Sequence, residues 1–182
     1  IGTFHQPLMV VCDIDFLATL DDAEIVSAMA EAVKYGIIAD APLFEYLEAG
    51  PPFDYERIVR MCAADKARVV ARDEKEEGLR RILNFGHTLG HAIERSTDYS
   101  VSHGQAVAVG MAFASRLSYD RSMLPPADLR RIMDLMVRER LLPKNLALPP
   151  AAEVGQALGI DKKGGKGGVH FVLTPYIGGV SV

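Results

Sequence analysis

NFGHTLGHAIE, residues 84–94, places two histidines, His87 and His91, four residues apart in a helical pattern. Side chains at positions i and i+4 lie on the same face of an α-helix, so the two imidazoles can share a metal ion, a substrate or a proton. Gly86 and Gly90 repeat this spacing, although an interior glycine costs a helix about 1 kcal/mol relative to alanine. We expect close approach of another helix or of a ligand to offset that cost. Two hydrogen-bonded histidines in a loosely packed helix are the alternative.

The composition is that of an ordinary globular domain. Of the 182 residues, 49% are hydrophobic and 24% are charged, which predicts a single domain over residues 1–182. Cys12 and Cys62 form no CxxC pattern, so we expect neither disulfides nor a thiolate metal site, and a cytoplasmic location. The net charge of −4 gives no general attraction to nucleic acid. The longest apolar run, Ala106–Ala114, is far shorter than the roughly 20 residues of a membrane helix, so we expect no membrane partner.

The first twenty residues have a different character from the rest of the chain. Leu8–Cys12, LMVVC, is a β-branched run behind Pro7 and predicts one short strand. Because the sequence starts at Ile1 rather than at a methionine, we expect it to be part of a longer protein. Residues 1–20 would then form the connection from a preceding domain.

Helical periodicity covers most of the remaining chain. The predicted fold class is therefore mainly α, with short β-strands at the N-terminal connection and at the C-terminal end. Asp21 with Glu24 resembles a capping box, and Gly36 is expected to end the helix that it starts. The predicted helices span residues 21–36, 42–49, 55–72, 79–94, 102–114, 127–142 and 151–158, and two short strands are expected within residues 168–182.

The helix predicted at residues 79–94 carries a polar stripe where a core-facing helix would carry leucines. The stripe consists of Arg80, Asn84, His87, His91 and Glu94, which recur at three- and four-residue steps. Such a stripe faces either solvent or a cavity. The apolar and glycine-rich surroundings favour a functional cavity.

Histidines and a carboxylate suggest the chemistry of this cavity. Glu31, His87 and His103, with His91 close by, offer oxygen and nitrogen ligands for a divalent cation. Two histidines and one carboxylate leave an open coordination position, as catalytic zinc sites do. The cations that suit a substrate bearing carboxylate or phosphate are Lys34, Lys66, Arg80, Lys162 and Lys163. Solvated ion pairs and a flexible lysine-rich loop are the alternatives, and spacing alone does not give the reaction.

Five linked motifs resemble the 3-dehydroquinate synthase family. They are AEAVKYGIIAD at 30–40, ARDEKEEGLR at 71–80, LRRILNFGHTLGHAIE at 79–94, SHGQAVAVGM at 102–111 and DKKGGKGGVHFVL at 161–173. They occur in order over nearly the whole chain. The resemblance implies the C-terminal, mostly helical half of a two-domain enzyme, which binds metal and substrate. It also implies that NAD binds mainly in an N-terminal domain outside these 182 residues.

The resemblance assigns a role to each matched residue. It implies Glu31, His87 and His103 as the ligands of a divalent metal, zinc or cobalt. His91 would then lie in the substrate pocket rather than on the metal, which corrects the joint chelate that spacing allows.

The other matched residues would act on the substrate. His91, Lys34 and Lys66 are implied as catalytic, and the implied substrate-binding residues are Glu76, Arg80, Asn84 and Lys162 or Lys163. Gln105 departs from the family pattern, which usually has a glutamate there.

The implied reaction converts 3-deoxy-D-arabino-heptulosonate 7-phosphate to 3-dehydroquinate and phosphate, in the shikimate pathway of aromatic amino acid biosynthesis. We expect a homodimer, and an isolated chain that is inactive without the NAD domain. The alternatives are a related sugar-phosphate cyclase or an iron-containing alcohol or polyol dehydrogenase. A noncatalytic helical module, in which the motifs survive as packing, is the alternative of a different class. The number of cations, with Lys34, Lys66 and Arg80 among them, favours an anionic phosphorylated sugar acid as substrate.

Overall fold

Helices make up most of the chain, in agreement with the predicted fold class. A computed structural model describes residues 5–160 and 168–181. Over these residues the α-helices are α1 (Asp22–Ile38), α2 (Ala41–Ala49), α3 (Tyr55–Arg72), α4 (His87–Ser96), α5 (His103–Asp120), α6 (Pro126–Arg138) and α7 (Ala151–Ile160). The strands are β1 (Leu173–Tyr176) and β2 (Gly179–Ser181), and 3-10 helices span Ile14–Thr19 and Leu79–Asn84. None of the described helices is long and apolar enough to cross a membrane.

Side-chain caps fix where the helices begin. The Asp21 carboxylate accepts a hydrogen bond from the backbone N–H of Glu24 at 2.9 Å, so the predicted start of α1 is confirmed. The Ser102 hydroxyl accepts from the N–H of Gln105 at 3.4 Å and so caps the start of α5. These caps satisfy N–H groups that lack a partner in the first helical turn.

Gly36 does not end α1, which continues to Ile38. The prediction of a stop was wrong because this glycine serves a helix contact. A Cβ built at Gly36 would lie 3.0 Å from the backbone N and Cα of Phe44 in α2. Glycine therefore lets α2 pack directly on the backbone of α1.

The strand predicted at Leu8–Cys12 is absent, and these residues are irregular. A strand needs hydrogen bonds from a neighbouring strand. Within residues 5–160 and 168–181, the strands that the structure describes pair only with each other at the C-terminal end. Leu8, Met9, Val10 and Val11 are each at least 70% exposed. Their apolar character therefore reflects no packing within this part of the chain.

The helix predicted from Leu79 to Glu94 is broken at Gly86. Leu79–Asn84 is a 3-10 helix, and α4 begins only at His87. Gly86 has φ +80°, a left-handed conformation that glycine adopts without steric cost. The polar stripe is thus divided between two elements: Arg80 and Asn84 belong to the 3-10 helix, and the histidines belong to α4.

The glycines of α4 and α5 allow the two helices to approach closely, as predicted for Gly86 and Gly90. A Cβ at Gly110 of α5 would overlap the carbonyl oxygen of Gly86, and one at Gly90 would lie 3.1 Å from the Cα of Val107. At the start of α5, a Cβ on Gly104 would collide with the backbone of α1. The helices α1, α4 and α5 therefore meet at their backbones and bring their polar residues together.

The core lies between α1, α2, α5 and α6. Its largest fully buried side chains include Ile37, Phe44, Met111, Ile132 and Leu135. The antiparallel β1 and β2 form the predicted C-terminal strand pair, with Leu173 opposite Ser181. Their turn is joined to α1, because the N–H of Gly178 donates to the carbonyl oxygen of Ile37 at 2.8 Å.

Candidate metal and substrate site

Glu31, His87 and His103 converge at the junction of three helices. Glu31 lies in the middle of α1, whereas His87 and His103 are the first residues of α4 and α5. The Oε1 atom of Glu31 is 3.4 Å from Nε2 of His87 and 3.9 Å from Nε2 of His103. One donor atom of each residue lies within 4.8 Å of the other two. The structure therefore brings the three predicted metal ligands together.

Each of these side chains is oriented by a second contact. Nδ1 of His87 lies 3.1 Å from the carbonyl oxygen of Phe85, and Nδ1 of His103 lies 3.0 Å from Oε1 of Glu94. Oxygen acceptors at Nδ1 favour the tautomer in which Nδ1 carries the proton and Nε2 keeps its lone pair. On the carboxylate, Oε2 of Glu31 accepts from Nζ of Lys34 at 2.5 Å, so Oε1 is turned towards the imidazoles.

The Oε1 atom of Glu31 shows that a cation fits this cluster. It is buried and has no hydrogen-bond partner among the residues that the structure describes. Buried polar atoms are nearly always paired, and a divalent ion between this oxygen and the two imidazole nitrogens would provide the missing partner. Burial lowers the pKa of His87, and Lys34 lowers it further, which keeps this imidazole neutral and able to ligate.

The surroundings of Glu31 are electrostatically unusual. Lys34 is only 3% exposed, and burial lowers its pKa against the opposing effect of Glu31. Burial, and then Glu31, raise the pKa of Tyr35 to about 12 and that of Cys62 to about 11. The phenol and the thiol therefore stay neutral at pH 7.

Lys66, on α3, lies on the same side of the molecule as Glu31. It lines a groove of about 360 Å³ together with Glu31, Tyr35 and Cys62. The side chain is exposed, and its charge contributes to lowering the pKa of Lys34. The two predicted catalytic lysines thus flank the Glu31 carboxylate, one buried and one exposed.

The loop before the 3-10 helix is organised around Asp73. Its carboxylate accepts from the backbone N–H groups of Glu77 at 2.9 Å, Gly78 at 2.8 Å and Arg80 at 2.8 Å. These hydrogen bonds lower the pKa of Asp73. Asp73 was not predicted as a site residue, although its place directly after α3 is typical of a helix-terminal acceptor.

The predicted substrate-binding residues of this loop lie beside one another. Nδ2 of Asn84 donates to Oε1 of Glu76 at 3.0 Å, so these two side chains are brought together. Nη1 of Arg80 donates to the carbonyl oxygen of Glu74 at 2.8 Å. Lys162 and Lys163 lie outside the described residues, and their role stays a prediction.

His91 lies at the edge of the metal-ligand cluster. Its ring centroid is 5.4 Å from that of His87 and 6.2 Å from that of His103. The side chain is exposed, and it is not part of the group formed by Glu31, His87 and His103. This position suits the substrate-facing role expected of His91, which remains a prediction.

Glu94 contacts one of the predicted metal ligands. It belongs to the polar stripe, seven residues after His87, yet it was not among the predicted site residues. The structure buries it to 9% exposure and sets it on Nδ1 of His103. Gln105, which departs from the family pattern, lies in the first turn of α5, and its backbone N–H bonds the Ser102 hydroxyl.

Replacing Glu94 by alanine is expected to weaken Zn²⁺ binding about 10- to 100-fold, because loss of an outer-shell carboxylate frees the ring of its ligand histidine. Isothermal titration of the metal-free chain with Zn²⁺ measures the effect. Glu153→Ala, an exposed glutamate in the first turn of α7, is the matched control and should leave the affinity unchanged. Equal affinities of Glu94→Ala and the unsubstituted chain would contradict the role given to Glu94.

The fold and the site define a helical domain with a candidate metal site. The site is of the type formed by two histidines and one carboxylate. Residues 28–164 match the family model described as 3-dehydroquinate synthase C-terminal. The chain belongs to this family. It is 40% identical to the 3-dehydroquinate synthase of Caldanaerobacter subterraneus subsp. tengcongensis and 44% identical to that of Nostoc punctiforme. In both cases 100% of the chain aligns with 53% of the relative, so the chain spans about half the length of these proteins.

Two solved structures share the fold of this chain. ValA, a 2-epi-5-epi-valiolone synthase from Streptomyces hygroscopicus subsp. jinggangensis with NAD⁺ and Zn²⁺ bound, aligns with a TM-score of 0.81 and 29% identity, covering 93% of this chain and 49% of ValA. A 2-deoxy-scyllo-inosose synthase complexed with carbaglucose-6-phosphate, NAD⁺ and Co²⁺ aligns with a TM-score of 0.79 and 22% identity, covering 93% and 50%. The second similarity concerns the fold alone.

Proposed function

We propose that this chain supplies the metal and substrate site of a 3-dehydroquinate synthase, which converts 3-deoxy-D-arabino-heptulosonate 7-phosphate to 3-dehydroquinate and phosphate. The observation that carries the proposal is the convergence of Glu31, His87 and His103 around an unpartnered carboxylate oxygen. The 40% and 44% identities to curated 3-dehydroquinate synthases support the choice of reaction. The pathway would be the shikimate route to aromatic amino acids.

A divalent ion and NAD are part of the proposal. Glu31, His87 and His103 would hold the ion, for which zinc or cobalt is proposed; ValA, at 29% identity, is solved with Zn²⁺ bound. When bound, such an ion lowers the pKa of a substrate hydroxyl and polarises the ketone formed from it. NAD, the hydride carrier of the reaction, is proposed to bind mainly in an N-terminal domain outside this chain.

The cations of the site would hold the substrate in one pose. Lys34 and Lys66 flank Glu31, and Arg80 follows in the loop that Asp73 organises. Charge-assisted hydrogen bonds from such groups fix carboxylate and phosphate, and a fixed pose converts successive steps into intramolecular ones. Lys162 or Lys163 is proposed to add to the grip on phosphate.

Neutral and titratable groups would complete the site. The paired side chains of Glu76 and Asn84 offer donors and acceptors to substrate hydroxyls. His91 is exposed at the edge of the cluster and would carry a proton to or from the substrate, since histidine is the side chain that most often serves as a general acid or base. A homodimer and a cytoplasmic location are part of the same proposal.

A related sugar-phosphate cyclase is the second candidate, which the similarity to ValA favours. Substrate profiling of the whole protein with NAD and Zn²⁺ separates the two. A 3-dehydroquinate synthase is expected to form phosphate and 3-dehydroquinate in equal amounts from the heptulosonate phosphate. Formation of a different carbocycle, or oxidation of a simple alcohol without phosphate release, would contradict it.

His91→Ala in the whole enzyme is expected to lower kcat by about 10² to 10⁴, the usual contribution of a general acid or base. Zn²⁺ binding at one equivalent should be retained, because the ion is assigned to other residues. Steady-state kinetics and metal analysis on the same preparation measure both effects, with His5→Ala as the matched histidine control. Loss of the ion from His91→Ala would restore the interpretation of His87 and His91 as a joint chelate.

Arg80→Ala is expected to raise KM about 10- to 100-fold, the range of a lost hydrogen bond to a charged group, while the bound metal stays. The neighbouring Arg81→Ala is the control, since Arg81 is exposed and was given no role in the site. An unchanged KM in Arg80→Ala would remove Arg80 from the substrate site.

A further inference from the structure

A second group of metal-capable side chains lies directly beside the Glu31 cluster. His91, Glu94 and His103 each offer one donor atom within 4.8 Å of the other two. His91 and Glu94 are three residues apart on α4 and so share a face of that helix. The ring centroids of His91 and His103 are 6.2 Å apart, with 30° between the ring planes. His103 is thus common to both groups.

The two nitrogens of His103 point to different groups. Nε2 lies 3.9 Å from Oε1 of Glu31, and Nδ1 lies 3.0 Å from Oε1 of Glu94. A neutral imidazole has one lone pair and one N–H, so it can ligate through only one of its nitrogens at a time. Ligation through Nδ1 requires the Nδ1 proton to move to Nε2. Nε2 then has no lone pair to offer an ion bound to Glu31.

The donor set of the second group matches that of the first. Two imidazoles and one carboxylate suit a borderline divalent ion such as Zn²⁺ and leave an open position. The Glu94 carboxylate is 9% exposed and faces the imidazole of His103, which places a buried negative charge where the cation would bind.

We propose that His91, Glu94 and His103 form a second divalent-cation site, which competes with the Glu31 site for His103. It is the weaker of the two, because binding there breaks the contact between Nδ1 of His103 and Glu94. His91 is exposed, whereas His87 of the first site is partly buried, and this difference lowers the affinity of the second site further.

Occupancy of this site has a consequence for catalysis, which rests on the proposed function. An ion held by His91 removes the proposed proton carrier and the third ligand of the catalytic ion together. Excess Zn²⁺ is therefore expected to inhibit the whole enzyme, with inhibition relieved by a chelator. Binding itself is measured without turnover, so a failure of the proposed reaction leaves the metal test intact.

Equilibrium dialysis of the full 182-residue chain against Zn²⁺ tests the site in a background that weakens the first one. His87→Ala should still bind one ion, at least about 100-fold more weakly than the unsubstituted chain. Adding His91→Ala should weaken this residual binding at least a further tenfold, and adding Glu94→Ala should do the same. Adding His5→Ala, a histidine of the exposed N-terminal segment, should leave the residual binding unchanged.

Circular dichroism of each variant verifies that the helical content of the chain is retained. Residual binding that falls with both His91→Ala and Glu94→Ala supports the second site. Residual binding that His91→Ala leaves unchanged overturns it, because the ion would then rest on Glu31 and His103 alone. Complete loss of Zn²⁺ binding in a folded His87→Ala chain overturns it as well.

Discussion

Replacing His87 by alanine should weaken the binding of Zn²⁺ to this chain by at least about 100-fold, beyond the effect of losing an outer-shell partner. His87 presents Nε2 to Glu31 at 3.4 Å, and its Nδ1 is held by the carbonyl oxygen of Phe85. Burial lowers the pKa of this imidazole, so it competes little for protons at neutral pH. Alanine leaves the buried Oε1 of Glu31 with one imidazole in place of two.

Competition with a chromophoric chelator measures this affinity, and His5→Ala is the control. Because His5 lies in the exposed N-terminal segment, this control shows whether removing a histidine outside the cluster also lowers the Zn²⁺ affinity. The first-formed complex should contain one ion per chain. An affinity for Zn²⁺ that is the same in His87→Ala and in the unsubstituted chain would rule out the Glu31 cluster as the metal site.

Gly110→Ala should lower the free energy of unfolding by about 3 kcal/mol, the upper end of the usual cost of overpacking a core. The added methyl group would overlap the carbonyl oxygen of Gly86, which is backbone and has no rotamer to adopt. Relief requires α4 and α5 to move apart, and this movement also separates His87 from His103. Metal affinity should therefore fall together with stability.

Gly155→Ala in α7 is the matched control, because nothing lies within 4 Å of a Cβ built there. Alanine should raise the free energy of unfolding at this exposed helical position by about 0.5 to 1 kcal/mol, through helix propensity alone. Urea denaturation monitored by circular dichroism measures both variants. A Gly110→Ala chain as stable as the unsubstituted chain would show that the helix contact is looser than described.

Local signals explain why most helices could be predicted from the sequence. Asp21 and Ser102 each cap the helix that follows, and a cap depends only on residues within one turn. The same holds for α3, whose predicted bounds Tyr55 and Arg72 are those observed. The mainly α fold and the C-terminal strand pair could therefore be predicted from the sequence.

Long-range contacts explain the errors. Gly36 was expected to end a helix and Gly86 to continue one, yet each is fixed by the helix that packs on it. The apolar run Leu8–Cys12 has the composition of a strand, but pairing depends on a partner that composition does not reveal. No local pattern contains this information.

In the candidate site, too, the residue types could be predicted from the sequence, whereas the contacts between helices could not. The resemblance implied Glu31, His87 and His103 as metal ligands, and the structure brings these three side chains together. The role of Glu94 depends on the angle at which α4 meets α5, which only the packed structure fixes. The sharing of His103 between two groups became visible for the same reason.

The position of one zinc ion in a crystal decides whether Glu31, His87 and His103 form the metal site. Crystals of the chain grown with one equivalent of Zn²⁺ should show a single anomalous peak, about 2.0 to 2.2 Å from Oε1 of Glu31 and from Nε2 of His87 and His103. Such a peak would establish that the helix junction is a metal site of the type proposed. A well-ordered junction with no peak between these three atoms, or with the ion bound elsewhere, would show that Glu31, His87 and His103 are not the metal site.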